Sequence, residues 1–154
     1  MKRRFGRFVA PIAIVNLKLY TFLTGRPRAR VLVVNEFDEV LLIQALFSDG
    51  RWSLPGGGLK RTESAVAAAR RELQEETGID ADETDFMYMT TLSKPEYRVP
   101  FTAPLYYLRV TRSSLPDQMV NTWEISSIAW FQRDKLPEPL SVITKAALEL
   151  ETTI

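Results

Sequence analysis

No cysteine and no histidine occur in this chain of 154 residues. Without cysteine there is no disulfide framework, no thiolate zinc site and no sulfur nucleophile. That composition fits a reducing compartment, and a cytoplasmic location is the expectation. The missing histidine excludes more, because a histidine general base, a Ser-His-Asp triad and imidazole metal ligation all go with it. Any chemistry must run on carboxylates, Lys, Arg, Tyr, hydroxyls or hard metal ions. Glycine is scarce at seven residues, yet three stand together at Gly56, Gly57 and Gly58. The remaining composition, 45% hydrophobic and 25% charged, is that of a globular domain long enough to bury one core.

Acidic residues are absent from the first 30 positions, which hold Lys2, Arg3, Arg4, Arg7, Lys18, Arg26, Arg28 and Arg30. The other 124 residues carry 12 basic and 19 acidic side chains. This asymmetry divides the chain into a basic and apolar extension, residues 1–25, and a main domain, residues 26–154, joined at Arg26-Pro27-Arg28. The apolar run from Phe8 to Leu23 has the outline of a signal peptide, but Asn16 and Lys18 interrupt it and no small-residue cleavage site follows. It is also short for a bilayer span. An arm packed on the domain with its charges solvated is expected. Contact of that arm with RNA or a membrane surface is left open, as is a homodimer.

Along the main domain, RVLVVNEFDEVLLIQ reads as two strands joined by a turn at Glu36 to Glu39. RWSLPGGG is a short strand running into a flexible loop. Thr62 is placed to cap a helix that Gly78 ends. FMYMTTL (86–92), PLYYLRVT (104–111) and IAWF (128–131) read as strands, and PLSVITKAALELE (139–151) as a closing helix. Strands mixed with helices predict an α/β fold, a mixed sheet with helices packed on it.

The helix after the glycines crowds Glu72, Glu75 and Glu76 into one turn. At 100° per residue, Glu75 and Glu76 lie about 60° and 40° to either side of Glu72. Like charges at this spacing weaken a helix, so something must compensate. One account is a solvated acidic face balanced by Arg70 and Arg71. The other is a hard divalent cation, which favours oxygen ligands and assists attack of water on a phosphate ester or anhydride. Val66 and Leu73 offer the helix an apolar edge, while Ala65, Ala68 and Ala69 fall on the carboxylate side and predict room there for a loop or ligand.

The spacing Gly57, five residues, Glu63, seven residues, then Arg71-Glu72-Leu73-Gln74-Glu75-Glu76-Thr77-Gly78-Ile79 resembles the Nudix box at every specified position. Such a match arises by chance in fewer than about one window in 10⁸. The resemblance implies an α/β/α sandwich with a central mixed sheet and a catalytic loop-helix-loop. It implies Mg²⁺- or Mn²⁺-dependent hydrolysis of a nucleoside diphosphate linked to another group, such as ADP-ribose. Carried over by position, Glu72, Glu75, Glu76 and the Gly56 carbonyl would bind metal. Glu63, Arg71, Gly57 and Gly78 would brace the loop and helix. The catalytic base would be a box glutamate (Glu72 or Glu75), Glu124 ahead of Trp130, or Glu96. A non-catalytic nucleotide- or RNA-binding regulator on the same fold is the alternative. Pro95 and Tyr97 follow the box at spacings associated in the family with ADP-ribose and dinucleoside polyphosphates respectively. Trp52, Tyr97, Phe101 and Tyr106 are the aromatic candidates for stacking on a base.

Overall fold

The computed structural model describes residues 26–46, 48–93, 101–111 and 124–151. In chain order these form β1 (Arg30–Val34), β2 (Val40–Ala45), β3 (Trp52–Ser53), α1 (Ala65–Thr77), β4 (Met87–Leu92), β5 (Ala103–Arg109), β6 (Ile125–Phe131) and α2 (Val142–Glu151). All six strands belong to one mixed sheet in the order β3-β2-β1-β5-β4, with β6 paired to β2. Alternation along β1 sends Val31 and Val33 to the face covered by α1, and Leu32 and Val34 to the face covered by α2. A strand buried on both faces reads as an unbroken apolar run, which is why VLVV shows no polar alternation. The expected sandwich of a mixed sheet between helices is therefore the observed one.

The β1–β2 turn is organised by Asn35. Its Oδ1 accepts from the Phe37 and Glu39 amides at 2.9 Å each, and its Nδ2 donates to the Glu39 carboxylate. Asp38 takes a left-handed φ of 62°, which aspartate tolerates in turns. Beyond the turn the two strands separate. Their one register pair is Val34 with Val40, and β3 then takes the same edge of β2 at Ile43 and Gln44. β6 runs along the opposite edge of β2, from Val40 to Ala45. The chain leaving β3 returns to the freed edge of β1, where the Val31 amide donates to the Pro55 carbonyl at 3.0 Å and Arg28 pairs with Gly58. The glycine loop is thus held to the sheet by backbone bonds, directly ahead of α1.

Three sequence expectations shift. The cap of α1 is Ser64, not Thr62: its side chain accepts the Ala67 N–H at 3.1 Å and the helix begins at Ala65. Residues 60–63 form a turn first, because the Glu63 carboxylate bends back onto the Lys60 amide. The last helix starts at Val142, where the Ser141 hydroxyl accepts the Thr144 N–H, and β6 begins three residues earlier than expected. The third change concerns the alanines. Ala68 and Ala69 are fully buried with Leu73 against Val31, Val33 and Leu108, so they allow close helix–sheet approach and leave no open space. Ala69 and Glu76, seven residues apart, lie within about 20° on the helix, so the stripe facing the sheet runs into Glu76. Gly78 ends α1 as expected, at φ 75° with its amide bonded to the Gln74 carbonyl.

Overfilling that contact tests the placement. Ala69→Leu should lower unfolding free energy by about 1–3 kcal/mol, the usual penalty for added volume in a packed core. The measurement is a urea midpoint. An unchanged midpoint would return the alanines to open space.

Candidate active site

Arg71 is the centre of the site's ionic network. Its Nε and Nη2 bond the two oxygens of Glu63 at 2.7 and 2.9 Å. Nη2 also reaches the Gly58 carbonyl at 3.1 Å, while Nη1 contacts Glu72 at 2.7 Å and Glu75 at 3.3 Å. One half-buried cation therefore joins the turn before α1, the glycine loop and two of the three clustered carboxylates. The paired Arg71 holds Glu63 at a pKa of about 2, well below its ordinary value. The same pairing with Glu63 pushes Arg71 upward, so both groups are charged across the physiological range.

The glycines are required by what surrounds them. Gly56 has φ 134°, and a Cβ there would overlap the Ala29 carbonyl. A Cβ at Gly57 would overlap the Glu72 carboxylate itself. The loop and the first box carboxylate are thus in direct contact, and a side chain at Gly57 would displace Glu72 from its place beside Arg71.

Glu76 is placed differently from its two neighbours. One of its oxygens accepts the Gly56 amide at 2.7 Å. Burial pushes its pKa up to about 8, with the negative charges of Glu72 and Glu124 acting in the same direction, against the lowering effects of the Gly56 amide and Arg30. Glu124 lies at the head of β6, exposed, and its carbonyl accepts the Leu46 amide. The fold therefore brings the distant Glu124 within electrostatic reach of the box.

Arg30, one of the eight basic residues in the first 30 positions and the start of the first expected strand, is the first residue of β1 and lies partly buried in this site. It donates to the carbonyls of Leu54 and Gly56. Burial lowers its pKa to about 10, a shift to which Arg28 adds and which Glu76 and Glu72 oppose. Arg28 is likewise no solvated linker residue: its amide bonds the Thr102 carbonyl and its guanidinium lies 5.4 Å from the centre of the Phe101 ring. Sequence could have flagged Arg30 by one signal, a cation opening a strand whose next four residues are all buried.

Among the described residues, no group of three acidic side chains stands ready-made around one cation position. Glu72 and Glu75 are turned onto Arg71, and Glu76 onto a backbone amide. The donor set still suits a hard divalent ion: carboxylates of one helical turn, a backbone carbonyl, and a desolvated Glu76 whose charge Arg30 only partly offsets.

The aromatic candidates do not gather here. Trp52 packs on the α2 side of the sheet, edge-on to Phe131 at 4.9 Å, and Phe101 packs against the same core. Strand parity sends Trp52 away from α1. Tyr106 is on the α1 side but buried between Phe86 and Tyr88. Tyr97, with Pro95 and Glu96, lies outside the described residues. A cavity of about 300 Å³ beside the loop is lined by Arg26, Pro27, Leu59, Lys60, Arg61 and Glu63, a largely cationic wall.

Comparison with known proteins agrees with this geometry. The model of the NUDIX domain family matches residues 24–150. The 8-oxo-dGDP phosphatase NUDT18 of Homo sapiens is 33% identical over 109 residues, covering 70% of this chain and 32% of that protein. The chain thus spans about a third of that relative's length. A MutT NUDIX hydrolase from Burkholderia pseudomallei superposes with a TM-score of 0.67 at 26% identity, over 81% of this chain and 96% of that one. An ADP-ribose pyrophosphatase from Streptococcus suis gives a TM-score of 0.64 at 27% identity, over 84% and 92%.

The raised pKa of Glu76 has a signed consequence for stability. Its folded value, about 8, lies above the ordinary 4.5, so the native state holds this proton more tightly than the unfolded chain. Stability from this group is complete below pH 4.5 and is lost as pH rises through 8. In EDTA, Glu76→Gln should match the unsubstituted chain near pH 5 and exceed it near pH 9 by on the order of 2 kcal/mol. Urea unfolding at the two pH values checks it, and a pH-independent difference would contradict it.

Proposed function

Because the chain belongs to the Nudix family, we propose that it is a divalent-metal-dependent pyrophosphohydrolase acting on a nucleoside diphosphate linked to another moiety. One observation carries this reading: Glu72, Glu76 and Glu124 share one electrostatic field, set against a glycine loop that Arg71 ties to α1. Glu72, Glu75, Glu76 and the Gly56 carbonyl are the groups that would hold Mg²⁺ or Mn²⁺. When bound, the ion supplies charge neutralisation for the diphosphate and acidifies water. The relatives' names favour the same substrate class, since both 8-oxo-dGDP and ADP-ribose contain a nucleoside diphosphate.

Within that reaction the chain's own residues have separate tasks. Arg71 and Glu63 hold the loop and the carboxylates in register, which is positional work. Glu124, exposed and close to Glu76, accepts the proton of the attacking water. Water adds to one phosphorus, the bond from that phosphorus to the bridging oxygen breaks, and two phosphate monoesters leave. Lys60 and Arg61, on the cationic wall beside the loop, attract the anionic substrate before reaction. The complete set of box carboxylates favours catalysis over a purely binding role, because a nucleotide-binding module has no need of clustered negative charge.

Product release should be followed by chromatography across ADP-ribose, oxidised and ordinary nucleoside di- and triphosphates, nucleotide sugars, dinucleoside polyphosphates and 5′-triphosphorylated RNA. Activity should require Mg²⁺ or Mn²⁺ and vanish in EDTA. Glu72→Gln and Glu76→Gln should each lower kcat by about a hundredfold or more. Glu124→Gln should reduce kcat with little change in KM. With no histidine, rate should climb into the alkaline range. Full turnover in EDTA would overturn the metal-dependent mechanism, and unaltered kcat in Glu124→Gln would move the base to another residue.

A further inference from the structure

The strongest unexplained feature is a partly buried, desolvated cation inside a site built for a cation. Arg30 donates to the Gly56 carbonyl, and the amide of Gly56 is bound by Glu76. It sits close enough to Glu76 and Glu72 for each carboxylate to stabilise its charge. A buried guanidinium is costly unless its donors are satisfied and an opposite charge is near. Here the satisfying acceptors are carbonyls of Leu54 and Gly56 in the loop that would ligate an ion, and the opposite charges, Glu72 and Glu76, belong to its helix.

We propose that Arg30 is the resident counter-charge of the site, which supports the carboxylates while the protein is free of metal and competes with a divalent ion for the same oxygens. The inference rests on the reading of Glu72, Glu76 and Gly56 as metal-binding groups. Two cations facing one carbonyl and one carboxylate repel each other, so the ion's affinity is lowered by Arg30. Without Arg30 the metal-free site holds clustered carboxylates with one fewer cation to offset them. Both effects have the same sign, and removing the charge makes the protein lean more on the ion. Arg71 does not duplicate this role, because its donors are spent on Glu63, Glu72, Glu75 and Gly58, and it makes no bond to Glu76 or the Gly56 carbonyl. The coupling sets the Mg²⁺ concentration at which the site fills, a property that no motif residue encodes.

The test is Mg²⁺ binding, read by calorimetry and by thermal unfolding over a Mg²⁺ series that starts in EDTA. Four chains are compared: unsubstituted, Arg30→Met, Arg30→Gln and Arg30→Lys. Glutamine keeps an N–H for the Gly56 carbonyl but no charge, whereas lysine keeps the charge. Arg30→Met and Arg30→Gln should both unfold at lower temperature in EDTA. Both should gain more from Mg²⁺, with binding midpoints about fivefold lower or more, the ordinary size of a coupling between sites. Arg30→Lys should stay near the unsubstituted midpoint. If Arg30→Met does not fold without metal, the glutamine chain carries the comparison.

A merely structural arginine would give an equal loss of stability at every Mg²⁺ concentration, and that result overturns the proposal. Weaker Mg²⁺ binding in the neutral variants overturns it too, because it would make Arg30 an organiser of the ligands. An unsubstituted chain that does not respond to Mg²⁺ overturns the metal reading itself, and this proposal with it. A responding chain with unshifted variants overturns only the role of Arg30.

Discussion

The contact on which the site depends is the guanidinium of Arg71 lodged between Glu63, Glu72, Glu75 and the Gly58 carbonyl. Three glutamates in one helical turn weaken an isolated helix. Arg71 offsets two of them directly, and the amide of Gly56 engages the third. The rigid spacing of the motif follows from these contacts. Glu63 must precede α1 by a turn to reach Arg71 around the helix start. Gly57 lacks a side chain, which leaves Glu72 the volume it occupies beside Arg71. Moving any of these residues by one position breaks a charged pair or creates a clash, so the pattern is a closed set of contacts.

That set would float without the sheet beneath it. β1 and β2 separate after one pair, and the freed edge of β1 is taken by the loop through the Pro55 carbonyl and by the Arg28–Gly58 pairing. Backbone bonds hold the loop from below while Arg71 holds it from α1. The loop needs both supports because its glycines give up conformational freedom when ordered. β6, on the opposite edge of β2, carries Glu124 toward the same place although it is about fifty residues from the box.

Much of this was legible from residue order. Strand runs, the ending of α1 at Gly78 and the motif spacing are local signals, and the observed elements follow them. What was not legible depended on information that lies between distant segments. Thr62 and Ser64 are both competent caps, and the choice turned on Glu63 bending back to Lys60. The alanines carry too little hydropathy to reveal which way they face, so their burial was set by the docking of α1 on β1. Trp52 needed a known strand parity, and a shift of one residue would have reversed its face. Arg30 was placed by the sequence at the start of a strand, in a run of basic residues with Arg26 and Arg28, with nothing local to link it to the site. Only its contacts 24 and 26 residues away make that link.

The two arginines divide the electrostatic work in a way that bears on how such a site can hold a removable ion. Arg71 is bound bidentately by Glu63 and has a raised pKa, so it is a fixed part of the frame. Arg30 is bound by backbone carbonyls, and its charge is disfavoured by burial. A site whose carboxylates were all fully neutralised by fixed arginines would have no attraction left for a divalent cation. One with no internal cation would be strained by self-repulsion whenever the ion departed. The arrangement lies between these limits, with Glu72 and Glu75 paired to the frame and Glu76 left as a buried carboxylate poised near neutrality. Its proton and an arriving ion are alternatives at the same group.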